Sequence, residues 1–204
     1  MSEPLFLRPM EARVLYVFAH GAGAGMRHRW MDAMAATLAE RRVATWRYEF
    51  PYMAAGQRRP DRPPVAHAAV RAAVAAARAA APDLPLVAGG KSFGGRMTSQ
   101  AEALTPLGVL GLAFFGFPLH AAGSPGIERA AHLDAVRVPM MFLQGTRDAL
   151  CDLALLATIT DRLSRSTVHV VDRGDHSLER KRGDTAGPAE AADAMAAWIA
   201  SLTP

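Results

Sequence analysis

The chain has a single cysteine, Cys151, so no internal disulfide can form and the stapled frameworks of small secreted proteins are excluded. Lysine is almost as scarce: Lys91 and Lys181 are the only two among 23 basic residues. The net charge of +4 is therefore carried by arginine, in scattered positions and in short groups at Arg41-Arg42, Arg58-Arg59 and Arg180-Lys181-Arg182. None of these groups is interleaved with the aromatics that a single-strand nucleic-acid surface uses for stacking, so no nucleic-acid partner is expected. Cysteine and histidine do not recur at metal-ligand spacing, and neither a metal nor an organic cofactor is expected. No basic start followed by an apolar stretch and a small-residue cleavage site opens the sequence, which predicts a cytoplasmic location. The longest uncharged stretch, 103–127, is broken by Pro106, Pro118, His120 and five glycines. It therefore predicts a buried strand and its loop, and no membrane span.

What the chain does have is apolar content: 50% of its 204 residues, enough to bury one substantial core, so residues 1–204 are expected to form a single domain. Runs rich in strand formers lie at 13–19, 43–50, 84–88, 109–115, 139–143 and 167–171. Between and after them, apolar residues recur at helical spacing in 30–42, 65–81, 93–104, 127–136, 153–163 and 188–202. This alternation predicts an α/β fold: about six strands in a mainly parallel sheet with helices on both faces. The segment 51–64 holds four prolines and several charges and is expected to be an exposed loop bordering the ligand site. Only about twenty residues connect the strand ending at Phe115 to the next one, too few for an independent cap domain.

One stretch organises the rest. In Leu84–Arg96 an apolar run passes directly into Gly90-Lys91-Ser92-Phe93-Gly94, which fits G-x-S-x-G, the strand–turn–helix elbow that lifts a serine hydroxyl above a sheet edge. Such a turn crowds its neighbours' backbone, so positions without a Cβ are needed, and Gly90 and Gly94 supply them. The same residues also resemble the end of a phosphate-binding P-loop. That motif requires a glycine where Pro85 stands, and proline offers no N–H to a phosphate oxygen.

A serine hydroxyl becomes a useful nucleophile only with a base in reach and a third group to orient that base. His176 and Asp148, each following a predicted strand downstream of Ser92, are the candidates. Asp152 is a competing acid, whereas Asp172 and Asp175 fit capping or solvated roles. Negative charge developing on a substrate oxygen needs backbone N–H donors. Phe93, directly after the nucleophile, provides one; the glycine-rich loop His20–Gly25 provides the second, from Ala22 or from Gly23. Phe117 and Leu119, in the loop after the fourth strand, are expected to wall an acyl or leaving-group pocket. Lys91 should point away from the hydroxyl into a structural ion pair or a snorkelling position, and Cys151 is expected to be a small core residue.

Together HGAGAG at His20, GGKSFGGR at Gly89, GFPLH at Gly116, GTRD at Gly145 and GDHS at Gly174 span nearly the whole chain. In them the chain resembles the α/β-hydrolase superfamily, most closely its small, lidless, dienelactone-hydrolase-like branch, to which a hydrolase-like domain of a chromatin-complex subunit is also similar. The order serine, acid, histidine is that family's order. The resemblance implies the fold, a serine nucleophile and acyl-ester chemistry on a small-molecule ester, in the manner of a carboxylesterase. It departs from the dienelactone type in carrying serine where that type has cysteine. A thioesterase or peptidase would use the same constellation, and a non-catalytic binding scaffold would keep the fold while losing a triad member.

Overall fold

Six consecutive buried residues, Val14–Ala19, send alternate side chains into two different cores. Leu15, Val17 and Ala19 enter one, and Val14, Tyr16 and Phe18 the other. A strand buried on both faces requires helices on both faces, and the computed structural model, which describes residues 2–202, has that architecture. Its strands are β1 (Leu5–Leu7), β2 (Val14–Ala19), β3 (Val43–Tyr48), β4 (Leu86–Lys91), β5 (Leu112–Phe115), β6 (Met140–Gly145) and β7 (Ser166–Val171). They form one sheet in the order β1-β3-β2-β4-β5-β6-β7, parallel throughout except for β1, which runs antiparallel against β3.

The six expected strands are all present, and β1 adds a seventh. It is three residues long and half exposed, with Phe6 packed on Trp46 across the pair, so it lacks the long apolar run that marks the others. On one face α3 (Pro63–Ala80), α4 (Phe93–Leu104), a 3-10 segment (Glu128–Ala135) and α5 (Leu153–Thr160) cover the sheet. On the other lie α1 (Arg29–Ala39) and α6 (Ala186–Leu202), through Trp30, Met31, Met34, Leu38, Met195, Trp198 and Ile199. No separate cap domain is inserted among the described residues.

The proline-rich stretch 51–64 corrects one expectation. It is not continuous loop: α2 (Pro51–Ala54) is a single helical turn, and Pro63 and Pro64 open α3. Proline is excluded from helix interiors because it lacks an N–H, but the first turn has no acceptor for that N–H, so both helices tolerate it there. Tyr52 N–H is held by the Asp61 carboxylate at 3.0 Å, which closes the intervening loop on itself.

Besides the buried Ala130 and Leu133, the 3-10 segment meets α4 through a half-buried polar contact, Ser99 Oγ to His132 Nε2 at 2.7 Å. Burial first, then the nearby Arg96 and His67, push the His132 ring down to about 4 from its ordinary 6.5. The folded chain therefore binds a proton less readily than the unfolded one, and stability present above about pH 6.5 is lost as the pH falls toward 4. Thermal unfolding followed from about pH 7 to about pH 4 should show a falling midpoint, with a shallower fall in His132→Gln. Equal slopes in the two proteins would exclude His132 as a source of the acid sensitivity.

Candidate active site

Five turns converge at the edge where the parallel strands end, and every residue singled out from the sequence lies on one of them. After β4, Ser92 takes φ 50° and ψ −118°, and α4 starts at Phe93. A positive φ in a residue with a Cβ costs about 1–3 kcal/mol and persists only where its surroundings hold it. Here Ser92 N–H donates to Phe115 O at 3.0 Å and Ser92 O accepts from Arg96 N–H at 3.1 Å, so the turn is tied on both sides. A Cβ at Gly90 would lie 2.4 Å from Ala19 O, and one at Gly94 2.5 Å from His20 O. The two missing side chains thus let β4 and α4 press onto the end of β2 and bring the first glycine loop to the serine. A Cβ at Gly21 would lie only 3.7 Å from that of Ser92.

Asp148 and His176 meet directly. Asp148 Oδ2 lies 2.8 Å from His176 Nδ1, with the aspartate side chain fully buried and the imidazole 29% exposed. A carboxylate can only accept, so Nδ1 carries the proton and Nε2 keeps its lone pair. The same Oδ2 accepts from Gln144 Nε2 at 2.5 Å, and Oδ1 accepts from Leu150 N–H at 2.9 Å. Gln144 in turn accepts from Phe117 N–H through Oε1 at 2.9 Å. Among the described residues no hydrogen bond joins Ser92 Oγ to His176, and such bonds commonly tighten only around a substrate.

The competing acids are engaged elsewhere. Asp152 caps α5, accepting from Ala154 N–H at 2.8 Å and Leu155 N–H at 3.2 Å. Asp175 accepts from Ser177 and Glu179 N–H groups, and Asp172 faces Arg173 on the surface.

For an oxyanion, the Phe93 N–H at the start of α4 has no acceptor among the described hydrogen bonds, because the first turn of a helix offers none. In the glycine loop, Gly23 N–H donates to Tyr52 Oη at 3.2 Å and is occupied, whereas Ala22 N–H is not. The loop itself is held by His20, fully buried after β2. Its Nε2 accepts from Phe50 N–H at 3.1 Å and its Nδ1 donates to Gly21 O at 2.8 Å, while burial lowers its proton affinity and keeps the ring neutral.

Two clefts border this cluster. One of about 460 Å³ is lined by Gly23–His28, Glu49 and Met53, and one of about 480 Å³ by His120, Asp148, Cys151 and Asp152. A larger cleft of about 600 Å³, between Val136–Met140 and Arg162–Arg165, opens at the opposite edge of the sheet, where β6 and β7 begin.

The expectation for Phe117 and Leu119 is corrected. Both are fully buried, and Phe117 packs edge-on against Phe114 at 5.3 Å and Phe142 at 5.5 Å, so neither walls a cleft. Phe117 N–H donates to Gln144 while its ring lies in the core. Cys151 is also buried, which pushes its thiol up to about 12 and leaves it no thiolate to react. Gln144, Tyr52 and His20 also serve the site, through bonds to Asp148, Gly23 N–H and Phe50 N–H. The one signal for Gln144 was a lone polar residue closing the apolar strand MMFLQG. No group of three His, Cys, Asp or Glu able to hold a metal occurs among the described residues.

Residues 12–203 match the family model described as an alpha/beta hydrolase domain. Among solved structures the chain is similar to a dienelactone hydrolase from Anabaena variabilis, at 18% identity over 97% of this chain and 90% of that one, with a TM-score of 0.73. It is similar to a lidless α/β serine hydrolase from Xanthomonas campestris at 18% identity, over 98% and 89% of the two chains, TM-score 0.75. It is also similar to an α/β serine hydrolase homologue from Coxiella burnetii at 16% identity, over 98% and 91%, TM-score 0.74.

The imidazole position depends on Gly116, at φ 63°, where a Cβ would fall 2.7 Å from His176 O and 3.2 Å from Nδ1. Gly116→Ala should therefore shift the His176 ring resonances in NMR spectra and destabilise the fold by about 1–3 kcal/mol. Unaltered ring signals in that variant would show that the contact does not set the ring.

Proposed function

The chain belongs to the α/β-hydrolase domain family, and from that premise we propose that it is a serine hydrolase cleaving a carboxylic ester through an acyl-enzyme on Ser92. The observation that carries this reading is the buried Asp148 carboxylate held 2.8 Å from His176 Nδ1, on the sheet edge that also presents the strained Ser92.

The steps follow from the roles the geometry allows. Ser92 Oγ attacks the acyl carbon while its proton passes to His176 Nε2, and Asp148 stabilises the imidazolium through Nδ1. The oxyanion of the tetrahedral intermediate takes the N–H groups of Phe93 and Ala22. Collapse expels the alcohol, which receives the proton from Nε2, and Ser92 is left as an ester. A water then attacks that ester, giving its proton to Nε2. The second collapse returns this proton to Ser92 Oγ and releases the carboxylic acid.

With no cap domain among the described residues, the site is open, which favours small, accessible esters. The similar fold of the lidless serine hydrolase from Xanthomonas campestris and of the serine hydrolase homologue from Coxiella burnetii supports the reaction class.

Hydrolysis of nitrophenyl acetate and butyrate tests the reading. Ser92→Ala, His176→Ala and Asp148→Asn should each lower kcat by about 10³-fold or more without altering the thermal midpoint by more than a few degrees. Turnover retained in His176→Ala would remove it from the base role.

A further inference from the structure

Nucleophile and base stand on different parts of the sheet. Ser92 follows β4 and His176 follows β7, with β5 and β6 between them. Their relative position would ordinarily depend on the packing of all four strands. A shorter link exists, through the residue next to the nucleophile.

Lys91 is the last residue of β4, so strand alternation sends its side chain to the sheet face covered by α1, away from the Ser92 hydroxyl. There its Nζ lies 4.8 Å from the centre of the Trp30 ring and donates to the backbone carbonyl of His176 at 2.5 Å. Trp30 repeats the contact one residue on: its Nε1–H donates to Ser177 O at 2.9 Å. The indole is itself wedged edge-on against Phe115 at 5.6 Å and Phe18 at 6.2 Å, both fully buried. Two consecutive carbonyls are therefore gripped by two side chains that stack on each other, one from the nucleophile's strand and one from α1. Gly116 also comes so close to His176 that no Cβ fits. The histidine carbonyl is thus both held by Lys91 and crowded by Gly116.

We propose that Lys91, with Trp30, is a positioning residue that tethers the His176 backbone to the nucleophile strand and so sets the His176–Ser92 geometry. This rests on the reading of Ser92 and His176 as nucleophile and base. A half-buried ammonium is a poor device for stability alone, since an apolar residue of equal volume avoids its desolvation. Its donor is useful where a fixed carbonyl must be held. Burial pushes the Lys91 ammonium down to about 8, opposed by the carboxylates of Asp148 from the β6 turn and of Asp175 and Glu179 from the β7 turn. From α1 it faces the uncharged Trp30 ring. As the pH rises through that value the tether loses its charge-assisted donor, while a guanidinium in the same place would not.

The test is ester turnover by wild type, Lys91→Met, Lys91→Arg and Trp30→Phe from about pH 6 to about pH 10. Lys91→Met should lower kcat by about 10- to 100-fold with KM changed by less than about twofold, because misplacing a base harms the transition state more than ground-state binding. Wild-type kcat should decline on the alkaline side with a midpoint near 8, and Lys91→Arg should lack that decline. Trp30→Phe, which keeps an aromatic ring but removes the N–H, should lower kcat by about three- to tenfold. Wild-type kcat in Lys91→Met, or an alkaline decline that persists in Lys91→Arg, would overturn the proposal. If Lys91→Met does not fold, Lys91→Arg and Trp30→Phe decide by the same criteria. Wild-type protein without ester turnover would instead end the serine-hydrolase reading. Amide exchange across 174–179 then judges the tether, which stands if exchange is faster in Trp30→Phe and falls if it is unchanged.

Discussion

The contact on which the site depends is the approach of β4 and α4 to the end of β2, made possible by two positions without side chains. A Cβ at Gly90 or Gly94 would meet the carbonyls of Ala19 or His20 well inside van der Waals distance. With those side chains absent, the nucleophile turn and the glycine-rich loop share one corner, where a Cβ at Gly21 would lie 3.7 Å from that of Ser92. The positive φ of Ser92 is tolerated for the same reason. Its neighbours on β5 and α4, Phe115 and Arg96, hold the turn at both ends.

Around that corner the buried Asp148, Gln144 and His20 side chains all have partners. Asp148 accepts from Gln144, Leu150 and His176, and Gln144 in turn fixes the loop after β5. A carboxylate out of water is costly unless donors surround it, and three donors converge on this one. His20 plays the corresponding part for the first loop, joining Phe50 N–H to Gly21 O through a ring that burial keeps neutral. Oriented groups of this kind lower a barrier because little has to reorganise when charge develops.

The inner strands β2, β4, β5 and β6 were legible in the sequence as apolar runs buried on both faces, and β3 and β7 by their strand-forming residues. β1 was not, since a three-residue edge strand half open to water leaves no such run. Ser92, Asp148 and His176 could be singled out because each stands in a glycine-marked turn after a strand. The pairing of Asp148 over Asp152 needed coordinates, because both follow β6 and only the turn at Asp148 aims its carboxylate at the ring. Phe117 follows β5 in a loop, yet its ring packs on Phe114 and Phe142 in the core, a direction that sequence position does not mark. Lys91 turned away from the hydroxyl as alternation requires. Its partner, a carbonyl 85 positions further on, had no trace in the sequence.

The central claim is that one serine among eight is activated, and a fluorophosphonate probe reads this without any choice of substrate. Mass spectrometry of the labelled protein should find a single adduct, on Ser92, that is absent from Ser92→Ala. A folded wild-type protein that takes up no probe, or takes it up at another residue, would contradict the assignment of Ser92, His176 and Asp148.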